Sequence, residues 1–276
     1  MISPLSKTQF ELFIRLIKKH TGISFSRRNV ATLQRKLSTR MSQLGLDSYR
    51  GYYDYLLHDK NGGLELRQLI NRLTVDQTAF FRNTKQFEHT ANIILPHIAK
   101  HKTTKKLRIW SAGCATGEEP YSIAMVVDDT FGDADGWDIK ILGTDIDTDA
   151  LKFAYNGSYP SRSVKAIPTE YLERYFTEGT GKDKGLFLAK EGLKKNIVFR
   201  RLNFMSAEFP FKSPVDIIFC RNVMIYFDPA FKTKLIDSFY HLLETDGFLC
   251  LGASESLIGV DKRFALVGHS TYQKQR

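Results

Sequence analysis

The chain has 276 residues, 42% of them hydrophobic and 12% aromatic, with only 8 Pro and 19 Gly. That composition excludes a disordered or fibrous protein and supplies material for one or two buried cores. The 40 Lys and Arg against 30 Asp and Glu give a formal net charge of +10, and the excess is uneven: residues 1–85 carry 15 basic against 6 acidic side chains, while the rest is close to neutral. Such asymmetry marks a surface for nucleic acid, acidic lipid or an acidic protein without choosing among them. Cys114, Cys220 and Cys250 lie in or beside apolar runs, at spacings that suit neither a disulfide scaffold nor a zinc ribbon, so a reducing compartment is expected. The N-terminus lacks an apolar signal core, and no apolar stretch reaches the roughly 18 residues needed to cross a bilayer. A cytoplasmic protein with no direct membrane insertion is expected.

From Ser6 to about Leu73 the pattern is helical. Phe10, Phe13, Ile14 and Ile17 recur at helical spacing and Gly22 stops the run. Ser26 is a candidate N-cap for a second helix, with Val30, Leu33, Leu37, Met41 and Leu44 as its apolar stripe and Gly45 just past its end. On a helical wheel Arg28 and Arg35 fall opposite that stripe, with Lys36 and Arg40 on its flanks; such a face, standing alone, is more often merely solvated than functional. Tyr49 to Leu57 and Leu64 to Leu73 read as further helices, separated by the turn Asp59-Lys60-Asn61-Gly62-Gly63.

From Leu107 onward, strands alternate with helices. Leu107 to Trp110, Ile139 to Leu142, Ile197 to Arg200, Val215 to Phe219 and Phe248 to Leu251 are short apolar runs bounded by turn formers, with helical stretches such as Pro120 to Asp129 and Pro229 to Leu243 between them. Alternation of this kind predicts an α/β fold with a mainly parallel, Rossmann-like sheet and ligands at the carboxyl ends of its strands. Residues 159–195 break the alternation and contain the polar run Gly179 to Gly185, which predicts an inserted antiparallel β-subdomain. The expected organisation is therefore a basic helical domain and linker over residues 1–85, followed over 86–276 by an α/β domain carrying that insertion.

The chemistry concentrates in Ile109-Trp110-Ser111-Ala112-Gly113-Cys114-Ala115-Thr116-Gly117-Glu118-Glu119-Pro120-Tyr121-Ser122, a strand, a small-residue turn and a helix in succession. Small residues let a ligand approach backbone amides at a helix N-terminus, but Glu118 and Glu119 would repel a pyrophosphate, so a positively charged nucleoside fits better than a dinucleotide. Asp145 follows the second strand, 28 residues after Gly117, where a carboxylate accepts from ribose hydroxyls. Together these features point to S-adenosylmethionine. Cys114 and Cys220 could serve as nucleophiles, as in some RNA methyltransferases, but at strand ends small buried hydrophobes are the commoner case. The seven histidines show no metal-ligand spacing, and no metal is expected.

The chain resembles the CheR-type chemotaxis receptor methyltransferases, which methylate glutamates of bacterial chemoreceptors. The resemblance is carried by Thr78-Ala79-Phe80-Phe81-Arg82, Trp110 to Ser122, Gly143 to Asp147, Asn203-Phe204, Phe219 to Asp228 and Gly252-Ala253-Ser254-Glu255-Ser256. It implies an S-adenosylmethionine-dependent protein-glutamate O-methyltransferase with S-adenosylhomocysteine as product. Arg82 and Tyr226 would stand beside the transferred methyl group, while Thr78, Glu118, Asp145, Asn203, Phe204, Arg221 and Asn222 would line the cofactor pocket. Asp76 stands where the family often has Asn, and its carboxylate can accept a hydrogen bond from the cofactor's ammonium but cannot donate one. The resemblance also implies that the basic helical domain docks the acidic helical cytoplasmic part of a receptor, with Arg28, Arg35, Lys36 and Arg40 as the candidate surface. Some relatives bind a receptor's C-terminal peptide along the inserted subdomain. An RNA methyltransferase, or a sensor that binds S-adenosylmethionine without catalysis, is the alternative; the positive charge avoids the α/β domain, which argues against nucleic acid as partner.

Overall fold

The computed structural model describes residues 4–25, 29–74, 77–132, 136–206, 209 and 211–275. Four helices come first. Ser6 caps α1 (Lys7–Thr21): its hydroxyl accepts from the Gln9 amide while the Gln9 side chain accepts from the Ser6 amide, and Gly22 closes the other end. Then come α2 (Val30–Gln43), α3 (Tyr49–His58) and α4 (Gly62–Leu73). The predicted cap Ser26 lies outside the described residues, and α2 begins after Asn29. The predicted stripe packs as expected, with Leu33, Leu37 and Met41 buried in one core with Phe13, Ile17, Tyr52 and Leu69.

Arg40, expected on a docking face, instead points into this bundle. Its Nε and Nη2 donate to the two carboxylate oxygens of Glu65 at 2.8 and 2.5 Å, and the Tyr52 hydroxyl donates to the same carboxylate at 2.7 Å. The Glu65 side chain is only 4% exposed; a carboxylate so deeply buried needs its partner, and that need decides where Arg40 goes.

A continuous helical rod follows: α5 (Thr84–His89), a π-helical turn (Thr90–Ile94) and α6 (Leu95–His101). The α/β unit then runs β1 (Lys106–Ala112), α7 (Glu118–Phe131), β2 (Asp138–Asp145) and α8 (Thr148–Asn156). The insertion holds β3 (Ser158–Pro160), α9 (Thr169–Tyr175), β4 (Phe176–Glu178), β5 (Leu186–Ala189) and α10 (Glu191–Lys194). The chain returns to the main sheet with β6 (Ile197–Arg201), β7 (Val215–Cys220), α11 (Pro229–Leu242), β8 (Leu243–Leu251), β9 (Phe264–Gly268) and β10 (Thr271–Lys274).

The main sheet has the order β6-β2-β1-β7-β8-β10-β9, and only β10 runs against its neighbours. All five predicted strands are in it. Their side chains alternate between two cores: Ile217 and Phe219 of β7 join α5, α6 and α7 on one face, whereas Ile218 and Cys220 join Leu235, Ile236 and Phe239 of α11 on the other. Helices on both faces are what a parallel sheet requires. The insertion forms its own antiparallel sheet, β3-β5-β4, with the predicted polar turn between β4 and β5. Among the described residues no helix is long and apolar enough to cross a membrane.

The helical bundle is bonded to the α/β unit at several points. Thr74 Oγ1 donates to Asp147 Oδ2 at 2.7 Å, Asn71 exchanges hydrogen bonds with Thr148, and Lys18 pairs with Asp228 at 2.8 Å. Ile23 forms a single antiparallel bridge with Phe227.

Candidate functional site

Strand order reverses between β1 and β7, and the loops leaving β1, β2 and β7 open there into a cavity of about 420 Å³. This is where open α/β sheets bind ligands. The loop after β1 is tightly wound: Gly113, Ala115 and Gly117 all have positive φ (87°, 47° and 96°). Gly113 has no alternative, because a Cβ there would lie 2.4 Å from Val223 Cγ2; the loop after β7 is packed directly on it. The Gly113 and Cys114 amides donate to the Thr144 carbonyl at 2.8 and 2.9 Å, fixing the loop against β2.

Asp145 ends β2 and lines the cavity. Its Oδ2 accepts from the Ala115 amide and its Oδ1 from the Asp147 amide, each at 2.9 Å. Burial pushes its pKa up, and those two amide bonds oppose the rise. Each oxygen keeps a lone pair for a ligand hydroxyl.

The structure places Glu119, not Glu118, on the cavity wall. Glu118 is the first residue of α7, buried, with Oε2 accepting from Thr116 Oγ1 at 2.7 Å; burial raises its pKa. Glu119, about 100° further round the helix, accepts from Ser111 Oγ at 2.7 Å and from Arg221 Nη1 at 3.0 Å. The Arg221 side chain is 4% exposed, its guanidinium sits 5.4 Å from the Phe87 ring centroid, and Nη2 donates to the backbone carbonyl of Arg82. Its Nε is buried without a partner. Glu119 and Arg221 thus neutralise each other in the cavity wall, leaving Asp145 as its unpaired carboxylate among the described residues.

The segment with Thr78 and Arg82 enters from the linker side, and both residues line the cavity; Asp76 lies outside the described residues. Phe80 and Phe81 are buried, Phe80 against Tyr159 and Phe176 and Phe81 against Phe87 and Tyr171. Arg82, between these anchors and the turn at Asn83, is exposed; its Nη1 donates to the Gln77 carbonyl at 2.9 Å.

Asn203, Phe204, Asn222 and Tyr226 also line the cavity. Asn203 Nδ2 donates to the His20 carbonyl at 2.6 Å, tying the wall to the end of α1. Phe204 packs against Trp110 and Phe227 and offers an apolar face. Asn222 takes a left-handed φ of 59°, held by Glu255, whose buried carboxylate accepts from the amides of Asn222, Gly252 and Ile225. Glu255 lies in a recognised motif, yet its part in shaping the loop that carries Tyr226 is not evident from the sequence.

The helical bundle supplies a whole wall of the cavity, including Ile23, Phe25, Thr32, Leu33 and Lys36. Lys36, expected on the docking surface, therefore lines the cavity. Arg35 is exposed on α2, and Arg28 lies outside the described residues. Cys114 and Cys220 are buried, and burial together with nearby carboxylates pushes both thiols far from ionisation, which does not suit a nucleophile.

These residues fit S-adenosylmethionine: a carboxylate at the end of β2 for ribose hydroxyls, apolar faces for a base, and a volume within the range of small-molecule sites. Two family models match the chain, one described as the CheR methyltransferase all-alpha domain over residues 8–74 and one as the CheR methyltransferase SAM binding domain over residues 76–273. The chain is 36% identical over 271 residues to the chemotaxis protein methyltransferase of Escherichia coli K12, covering 97% of this chain and 91% of that one. It is 34% identical over 274 residues to that of Borreliella burgdorferi, covering 98% and 95%. Over 267 residues it is 34% identical to chemotaxis protein methyltransferase 2 of Pseudomonas aeruginosa, covering 97% and 93%.

Proposed function

The chain belongs to the CheR methyltransferase family, and on that premise we propose that it methylates glutamate side chains of chemoreceptors, forming methyl esters. The observation that carries the reading is the cavity itself, in which Asp145, Thr78, Arg82, Asn203, Phe204, Asn222 and Tyr226 converge from separate parts of the chain. S-adenosylmethionine, when bound, supplies a methyl group activated by a positively charged sulfur. Asp145 would hold its ribose, Phe204 and Val223 its base, and Thr78 and Glu119 its amino-acid end.

A glutamate is already ionised at neutral pH, so the protein has no proton to remove from the acceptor. Its task is to align the carboxylate and exclude water. Arg82 is exposed at the cavity and carries a planar fork suited to a carboxylate. Too strong a grip would lower the nucleophilicity of the oxygens, so its role is orientation. The Tyr226 ring forms part of the same wall, where its hydroxyl can contact the acceptor.

Arg35, exposed on α2, remains the candidate docking cation, facing an acidic helical substrate. In the insertion, β5 is central and β3 and β4 are edges, so a receptor-tail peptide could add as a further strand. The test is transfer of labelled methyl from S-adenosylmethionine to receptor-bearing membranes. Base-labile label that Arg82→Ala abolishes supports the reading; base-stable label, or none while the cofactor binds, sinks it.

A further inference from the structure

Phe81 and Asn83 flank Arg82 with φ of 49° and 63°, both in the left-handed region. For a side chain as bulky as Phe this backbone is strained and persists only where its surroundings hold it. Most of the backbone bonds that do so are local: the Arg82 amide donates to the Ala79 carbonyl, Thr84 Oγ1 donates to the Phe81 carbonyl, and the Gln86 amide donates to the Asn83 carbonyl. Two come from far along the chain. The Arg82 carbonyl accepts from Arg221, and the Phe81 amide donates to Ser122 Oγ at 3.0 Å.

Ser122 has no access to solvent. Its hydroxyl donates to the Glu118 carbonyl at 2.7 Å, so its oxygen is turned to accept from Phe81. It does not line the cavity. We propose that Ser122 is a positioning residue for methyl transfer: by holding the Phe81 amide it locks the turn that presents the Arg82 guanidinium to the acceptor carboxylate. The helix that starts beneath the cofactor cavity thereby also fixes the residue that orients the substrate. This rests on the reading of Arg82 given above.

The experiment is a double-mutant cycle on the full chain, with labelled S-adenosylmethionine and receptor-bearing membranes, and with cofactor affinity measured separately by calorimetry. Ser122→Ala should lower kcat about tenfold, as a misplaced reactive group does, and leave the cofactor Kd within about twofold. In an Arg82→Lys background, chosen to retain a measurable rate, Ser122→Ala should cause almost no further loss, because residues acting as a unit are not additive. Losses that multiply, or a Ser122→Ala kcat within about twofold of wild type, overturn the proposal. Undiminished transfer by Arg82→Ala overturns instead the reading of Arg82, a separate failure with its own control. Should Ser122→Ala not fold, Ser122→Cys keeps the shape with a weaker acceptor and carries the same cycle.

Discussion

At the scale of single residues, the cofactor contact proposed for Asp145 would couple binding to pH. Burial raises its pKa above the ordinary aspartate value of 3.8, so acidification protonates it earlier than an exposed aspartate. A protonated Asp145 accepts less well from ribose, and S-adenosylmethionine affinity should fall as pH drops through the raised value. The folding sign is opposite: the native state holds this proton more tightly than the unfolded chain, so the residue's contribution is most favourable at low pH and is lost as pH rises through the folded pKa. Asp145→Asn should weaken cofactor binding roughly 10- to 100-fold, as expected for a hydrogen bond to a charged group. It should also flatten the pH dependence of Kd, which calorimetry between neutral and mildly acidic pH would check. Asp145 was legible because a strand end and a glycine turn bracket it in the sequence. The choice between Glu118 and Glu119 was not, since which of two adjacent helical carboxylates faces the cavity depends on Arg221, 102 residues from Glu119.

At the scale of elements, α2 separates two arginines that look alike in the sequence. Arg40→Ala leaves the Glu65 carboxylate buried without its cation and should cost about 3 kcal/mol, read as a lowered Tm. Arg35→Glu, on an exposed position, should change stability by no more than about 0.5 kcal/mol. It should nevertheless slow receptor methylation at low salt, with the difference fading as salt is added; a uniform effect at all salt concentrations would count against electrostatic docking. Helical periodicity revealed the buried stripe of α2 but could not assign its flanks, because the partner of Arg40 comes from another helix. The same limit explains the strands. Five apolar runs bounded by turn formers were readable, whereas β9 and β10, only five and four residues long and of mixed exposure, blend into loop.

At the scale of the whole molecule, the cavity belongs to both units, and the helical bundle is one of its walls. That could not be read from either half alone, because Thr32 and Lys36 become cavity residues only once α2 is seated on the α/β unit. Loosening the seat should therefore be felt at the cofactor. The double variant Asn71→Ala with Thr74→Val removes the bonds to Thr148 and Asp147 and should raise the cofactor Kd about fivefold, the effect of roughly one lost hydrogen bond. Calorimetry giving an unchanged Kd would show that the α/β unit holds the cofactor unaided.

The reversed strand β10 bears on assembly order. It lies between β8 and β9, joined to β9 by a tight hairpin whose His269 and Ser270 both have positive φ, and Gln86 of α5 donates to the carbonyls of Leu251 and His269 at its edge. Strand β9 is made before β10 but meets the sheet only through it, so β9 takes its place only once β10 lies beside β8. A chain interrupted anywhere between Gly268 and Thr271 would lose both strands at once. It would expose the flank of β8 as an open edge, the kind of surface through which unfinished sheets stick to one another.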